Sequence, residues 1–170
     1  MLYGFLKRTM EWKTITDIIL VAALCVLGVF ALMALHQWIS RKSIKKVDPY
    51  LLWMILPVVL MLATWVVFDK FLILNVRPNG SGEPSFPSTH TMFVATIFLL
   101  AAIALPKYVK SNKTRIFIDL TMFVLALLTC IGRVVSNMHH LSDVIGAIGF
   151  ALIFAGLYYY VIHKKGYKNE

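Results

Sequence analysis

The sequence has few charged residues and only two cysteines. Charged residues make up 15% of its 170 positions, whereas 59% are hydrophobic. A soluble domain of this size could not bury so much apolar surface, so the composition excludes an ordinary soluble protein. Both cysteines, Cys25 and Cys130, lie inside apolar runs, and neither spacing suggests a metal site.

Five apolar runs dominate the sequence instead. Lipid can cover such surface if a run crosses the hydrocarbon core of a membrane, which is about 30 Å thick. Backbone groups in lipid must be hydrogen-bonded within their own segment, so each run is predicted to be an α-helix. The sequence therefore predicts an all-α, polytopic membrane helix bundle that forms a single domain over residues 1–170. The predicted helices are 14–38, 50–68, a third that follows His90, 116–132 and 144–162.

The first thirteen residues are too short to span a membrane. This segment combines apolar and basic side chains, as does a helix that lies on the membrane surface. We therefore predict a short interfacial helix over residues 1–13, with a disordered end as the alternative.

The basic residues indicate the orientation of the helices. Eleven of the 17 Lys and Arg residues lie between runs one and two, between runs three and four, or after run five. In a protein with five spans these segments share one side, which the positive-inside rule makes cytoplasmic. We interpret the net charge of +9 as a topology signal and not as a nucleic-acid-binding surface. The loops 69–89 and 133–143 are then predicted to face the periplasm or the exterior of the cell membrane.

These two outer loops carry most of the unusual ionisable residues. Such groups at membrane depth usually mark a functional site. Cations gathered in one pocket suit a phosphate, and the free backbone N–H groups at the start of the third helix also favour an anion. The candidate residues are Lys70, Arg77, Ser88, Thr89, His90, Arg133, His139 and Asp143.

The histidines and the aspartate could perform acid–base or nucleophilic chemistry. His139 and Asp143 are four residues apart and would share a helix face if the fifth helix began early. A carboxylate bonded to one ring nitrogen makes the other nitrogen a better base or nucleophile, and His90 could be a general acid. Zinc bound by these three residues is the alternative, which the many cations and the lack of an H-E-x-x-H motif disfavour. Composition alone does not decide between His139 and His140.

Two acids inside the apolar runs point to no particular function. Asp17 and Asp119 lie near predicted helix starts, where the helix dipole favours a carboxylate, and they are predicted to lie on opposite sides of the membrane. They therefore give little support to the alternative from another class, a non-enzymatic anion-binding protein or transporter.

Three motifs in order resemble the signature of the type 2 phosphatidic-acid phosphatase superfamily, which comprises membrane lipid phosphatases and soluble vanadium haloperoxidases. The motifs are Lys70-x6-Arg77-Pro78, Pro87-Ser88-Thr89-His90 and Arg133-x5-His139-x3-Asp143. The resemblance implies metal-independent phosphoester hydrolysis without a cofactor. His139, oriented by Asp143, would attack phosphorus and form a phosphohistidine, and His90 would protonate the leaving oxygen. The remaining candidates, Lys70, Arg77, Ser88, Thr89 and Arg133, would bind the phosphoryl oxygens.

The chain departs from the family pattern at three positions. Thr89 and Asn137 stand where the family usually has Gly, and Gly132 stands where it usually has Ser. Gly132 lacks a hydroxyl that could bind phosphate. Asn tolerates positive φ, so Asn137 is expected to preserve its turn. The family also commonly has six spans, and here the first is reduced to the N-terminal segment.

The resemblance implies a lipid phosphate or diphosphate as substrate. Candidates are undecaprenyl diphosphate, phosphatidylglycerol phosphate and phosphatidic acid, with lipid A 1-phosphate as an alternative. Haloperoxidase chemistry is disfavoured because those relatives are soluble. The loop 79–86 is predicted to form the pocket rim, with Glu83 facing water.

Overall fold

The regular structure of the chain is helical, as predicted. The computed structural model describes residues 2–164, and within this range the β-structure is a single isolated bridge between Val76 and Pro84. A short 3-10 turn over Ile44–Lys46 follows the first helix. The six α-helices are α1 (Leu2–Arg41), α2 (Pro49–Trp53), α3 (Ile55–Lys70), α4 (Thr89–Tyr108), α5 (Asn112–Val135) and α6 (Leu141–Lys164).

Among residues 2–164, five helical segments are long and apolar enough to cross a membrane, which confirms the predicted number. Large hydrophobic side chains such as Ile18, Phe117 and Leu152 are exposed on the outside of the bundle, where lipid would cover them. The protein is therefore an integral membrane protein. The segments are Thr9–Arg41, Pro49–Lys70, Thr89–Tyr108, Asn112–Val135 and Leu141–Lys164.

The predicted N-terminal helix is not a separate element. Helix α1 runs without interruption from Leu2 to Arg41, and only Met1 of the predicted segment lies outside the described residues. The hydroxyl of Thr14 donates to the Met10 carbonyl (3.1 Å) and that of Thr16 to the Lys13 carbonyl (2.9 Å). These threonines point back along an existing helix instead of capping a new one. An interfacial position for residues 1–13 stays a prediction.

The second span contains a break that the sequence analysis did not predict. Helix α2 ends at Trp53 and α3 begins at Ile55. Pro57 has no N–H to donate to the carbonyl of Trp53, so a continuous helix would lose a hydrogen bond there. The carbonyl of Tyr50, in the short α2, accepts a hydrogen bond from the Tyr158 hydroxyl at 2.6 Å. Helix α6 thus stabilises the broken span from the side.

Helix α4 is the central element of the bundle. It packs against α1, α3, α5 and α6. Half of its most apolar stretch is buried, including the small residues Ala101 and Ala104, which let the neighbouring helices approach closely. The N-terminal end of α4, with Ser88 as its N-cap residue, is therefore held among the surrounding helices at one end of the bundle.

We predict that Tyr158→Phe destabilises the protein without altering the site. Tyr158 is only 1% exposed, and its loss would leave a buried carbonyl without a partner. Such a loss costs about 1–3 kcal/mol. Thermal unfolding in detergent should therefore occur at a lower temperature, whereas the exposed control Tyr159→Phe should unfold like the wild type. Equal stability of both variants would contradict this role.

Candidate active site

The candidate site forms where the loop 71–88 meets the turn 136–140 between α5 and α6. The loop folds back on itself, because the N–H of Arg77 donates to the Glu83 carbonyl (3.0 Å) and that of Ser85 to the Asn75 carbonyl (2.9 Å). At its end, Phe86 packs over Gly146 of α6, where any side chain would collide with the ring. The loop is thereby fixed against the start of α6.

Asp143 joins these two segments. Its carboxylate is fully buried and accepts hydrogen bonds from Asn75 Nδ2 (3.2 Å), Ser85 Oγ (2.5 Å) and the backbone N–H of His140 (2.8 Å). Its own carbonyl accepts from the N–H of Ser88 at 3.1 Å. Both carboxylate oxygens are satisfied, as a buried charge requires.

His139 is held by a backbone carbonyl and not directly by the carboxylate. Its Nδ1 lies 2.8 Å from the Ser85 carbonyl oxygen but 3.8 Å from Asp143 Oδ2, too far for a hydrogen bond. The predicted direct bond is therefore wrong, and Ser85 Oγ connects the two groups. The condition for a shared helix face is not met, because α6 begins at Leu141, after His139. Since a carbonyl only accepts, Nδ1 carries the hydrogen and the lone pair of the neutral ring lies on Nε2.

The surroundings keep the His139 ring neutral. Its side chain is 3% exposed. Burial lowers the pKa of His139, and the positive charges of Arg133 and Arg77 lower it further, to about 3, although the Ser85 carbonyl and Asp143 act in the opposite direction. Below that value the ring would be protonated, so the neutral form dominates at physiological pH.

His90 lies in the first turn of α4 and pairs with a residue of α1. Its Nε2 is 2.8 Å from Asp17 Oδ1, and Arg133 Nη1 lies 3.6 Å from the same oxygen. Because α1 begins at Leu2, Asp17 is in the middle of a helix, and its interpretation as a residue near a helix start is wrong. Sequence analysis missed Asp17 as a site residue.

Arg133 is buried deeply for a charged residue. It is 1% exposed, its Nη1 donates to Thr16 Oγ1 at 3.3 Å, and its Nε has no hydrogen-bond partner within residues 2–164. The preceding Gly132 allows α1 to approach, since a Cβ there would lie 2.5 Å from Thr16 Cγ2 and 3.0 Å from Trp12 Cε3. This close approach brings the Thr16 hydroxyl within hydrogen-bond distance of Arg133.

The other two predicted cations are paired with carboxylates of their own segments. Arg77 Nη1 lies 2.5 Å from Glu83 Oε2, and Glu83, whose side chain is 57% exposed, faces water as predicted while it pairs with this arginine. Lys70 Nζ lies 2.7 Å from Asp69, and its side chain is 68% exposed. Arg77 lies close enough to His139 to affect its pKa, whereas the Lys70 side chain is mostly exposed. Phosphate binding by Lys70 stays a prediction.

Ser88, Thr89 and Asn137 have the backbone positions that the sequence predicts for them. Ser88 is the N-cap residue, but its hydroxyl donates to Thr91 Oγ1 (3.1 Å) and not to the backbone. Thr89 is the first residue of α4, where backbone N–H groups have no intrahelical acceptor. Asn137 has φ = +57°, as expected for it.

Four residues of the site were not predicted from the sequence: Thr16, Asp17, Asn75 and Ser85. Asp17 carried a usable signal, because an acid inside an apolar run is a candidate functional residue by default. The loop residues Asn75 and Ser85 carried none, since short polar residues are common in loops. His140, the neighbour of His139, turns toward the loop, with Nε2 3.1 Å from the Val76 carbonyl.

The side chains proposed for a zinc site do not converge. Among residues 2–164, no three His, Cys, Asp or Glu side chains form a group that could hold a metal ion. His90 pairs with Asp17, whereas His139 bonds to the Ser85 carbonyl.

Residues 67–167, more than half of the chain, match the PAP2 superfamily. The chain belongs to this superfamily. The match confirms the family inferred from the three motifs and, with it, the prediction that the protein is a phosphatase. No curated protein sequence matches the chain.

A solved PAP2 structure has the same fold. It is the crystal structure of a transmembrane PAP2-type phosphatidylglycerolphosphate phosphatase from Bacillus subtilis, similar with a TM-score of 0.69 and 22% identity over 92% of this chain and 77% of that one. The coverage extends well beyond the matched residues 67–167, so most of α1 and α2 also belongs to the shared fold.

We predict that the His139 ring of this PAP2 protein does not titrate between about pH 5 and 8, the range in which an unperturbed histidine changes charge. Nitrogen NMR of histidine-labelled protein should show a neutral ring with hydrogen on Nδ1 throughout that range. The signal is identified by its loss in His139→Gln. A midpoint near the ordinary pKa, or hydrogen on Nε2, would contradict the assignment.

Proposed function

We propose that the protein hydrolyses a lipid phosphate without a metal ion, through a phosphohistidine on His139. One observation carries the proposal: a buried, neutral imidazole has its Nδ1 hydrogen bonded to a carbonyl, and its Nε2 lone pair, beside buried guanidinium charge, has no hydrogen-bond partner among residues 2–164. A neutral Nε2 can attack phosphorus, and the donors around it suit phosphoryl oxygens.

Arg133 and Arg77 are proposed to bind the phosphoryl group. The Nε donor of Arg133, without an acceptor in the described chain, fits a phosphate oxygen. Arg77 reaches the site from the loop and would exchange its contact with Glu83 for substrate. The first backbone N–H groups of α4, near Ser88 and Thr89, are uncharged donors that would also bind phosphoryl oxygens.

Two chemical steps follow from this arrangement. The Nε2 lone pair of His139 forms a bond to phosphorus while the P–O bond to the leaving group breaks and His90 gives that oxygen a proton. Water then attacks phosphorus, the P–N bond breaks, and His90 takes the proton from the water. Asp143 and Ser85 hold the His139 ring in place during both steps.

We infer that the substrate is a glycerophospholipid phosphate of the phosphatidylglycerol phosphate type. The similar Bacillus subtilis structure is named for that activity, and a site at one end of a membrane bundle suits a phosphate that is anchored by acyl chains. Phosphatidic acid, undecaprenyl diphosphate and lipid A 1-phosphate offer the same group to the same residues. The distribution of basic residues supports an orientation with the site at the outer face of the membrane.

Phosphate release by the purified protein in EDTA tests this function. We expect release from phosphatidylglycerol phosphate in preference to the other three lipids. His139→Gln should lower the rate by about 10³-fold or more, as loss of a nucleophile does. The matched control His140→Gln should keep most of its activity, because within the described chain that side chain bonds to the Val76 carbonyl and not to a residue with a proposed catalytic role.

Three results would contradict parts of the proposal. Substantial activity in His139→Gln would exclude this nucleophile, and a loss in EDTA that zinc restores would favour a metal mechanism. A folded wild type that binds these lipids but releases no phosphate would favour the anion-binding or transport alternative.

A further inference from the structure

The site contains a carboxylate from a helix outside the region that defines the superfamily match. The matched region begins at residue 67, whereas Asp17 belongs to α1. Asp17 Oδ1 lies 2.8 Å from His90 Nε2 and 3.6 Å from Arg133 Nη1. His90 of α4 and Arg133 of α5, which both have predicted chemical roles, thus lie close to the same carboxylate oxygen of Asp17 in α1.

Helices α1 and α5 pack closely against each other beside Arg133. Gly132 has no side chain where Thr16 Cγ2 and the Trp12 ring come nearest, and a Cβ there would be too close to both. Thr16 is fully buried, and its hydroxyl accepts from Arg133. Asp17 is the next residue, so the same contact that fixes Thr16 also holds Asp17 beside His90.

We propose that Asp17 is a positioning residue for His90 in phosphoryl transfer, an inference that rests on the proposed function. The carboxylate accepts the hydrogen on Nε2 of His90, which fixes the rotation of the ring and leaves Nδ1 to exchange the catalytic proton. The charged groups that face His90 are Asp17, Arg133 and Arg77. Asp17 is the carboxylate that offsets two guanidinium groups, which would otherwise oppose a protonated ring.

The proton balance of the reaction assigns each ring nitrogen a task. When His139 Nε2 bonds to phosphorus and the P–O bond breaks, the proton on His90 Nδ1 passes to the leaving oxygen. His90, which carries hydrogen on both ring nitrogens before this step, becomes neutral and still donates its Nε2 hydrogen to Asp17. When water attacks the phosphohistidine, Nδ1 takes a proton from it, and the P–N bond breaks.

The dependence of the rate on the leaving group tests this role. The alkoxide released from a lipid phosphate needs a proton, whereas the p-nitrophenolate released from p-nitrophenyl phosphate leaves without one. We expect Asp17→Asn to lower kcat for the lipid phosphate by about 10²-fold, within the range for general acid catalysis. The first-turnover release of p-nitrophenolate should change little, because it precedes the step in which His90 takes a proton from water and needs no proton itself. His90→Gln should give the same selective loss, and Asp17→Glu should restore part of the lipid activity.

Asp119→Asn is the matched control, since it removes a half-buried carboxylate from α5, remote from the site residues in sequence. It should leave both activities unchanged. Thermal unfolding in detergent tells whether Asp17→Asn remains folded, and Asp17→Ser serves as the second variant if it does not.

Two outcomes with an active wild type would overturn the role of Asp17. An equal loss of the first-turnover rate with both substrates would indicate a general structural contribution. A lower KM with both would indicate that Asp17 competes with phosphate for Arg133. Absence of phosphate release by the wild type from either substrate would instead overturn the proposed function itself, and with it this inference.

Discussion

The site depends on the hydrogen bonds of one buried carboxylate. Asp143 accepts from Asn75, Ser85 and the N–H of His140, and its carbonyl accepts from the N–H of Ser88. These bonds join the loop 71–88, the turn before α6 and the start of α4. The His139 ring bonds to the Ser85 carbonyl, and Ser85 Oγ bonds to this carboxylate, so the hydrogen bonds of the aspartate orient the ring through the loop.

The balance of charge at the site is the second constraint. A buried guanidinium group needs an opposite charge or a ligand, and Arg133 has Asp17, Thr16 and one donor without a partner in the described chain. Arg77 is balanced by Glu83. Both arginines can therefore be kept in a membrane protein while no substrate is bound, and both retain donors that suit a phosphate.

The sequence predicted what apolar runs and motif spacing determine. These include five spans and the positive φ of Asn137, whereas α4 begins at Thr89, slightly before the predicted start after His90. It did not predict features that depend on packing between distant segments. Thr16 bonds to Arg133, which is 117 residues away in the sequence, and Asp17 is the next residue. Both can approach Arg133 because Gly132 has no side chain in the way. The spacing of His139 and Asp143 suggested a helical pair, but the turn before α6 gives the four-residue interval a different geometry.

The proposed function depends on the formation of a covalent phosphohistidine at His139. The most direct measurement is rapid quench of the wild type with a ³²P-labelled lipid phosphate in the first turnover, followed by mapping of the labelled residue by mass spectrometry. The account predicts an acid-labile, base-stable label on His139 that is absent from His139→Gln. A label on another residue, including His140, or first-turnover release of phosphate without any labelled protein, would contradict it.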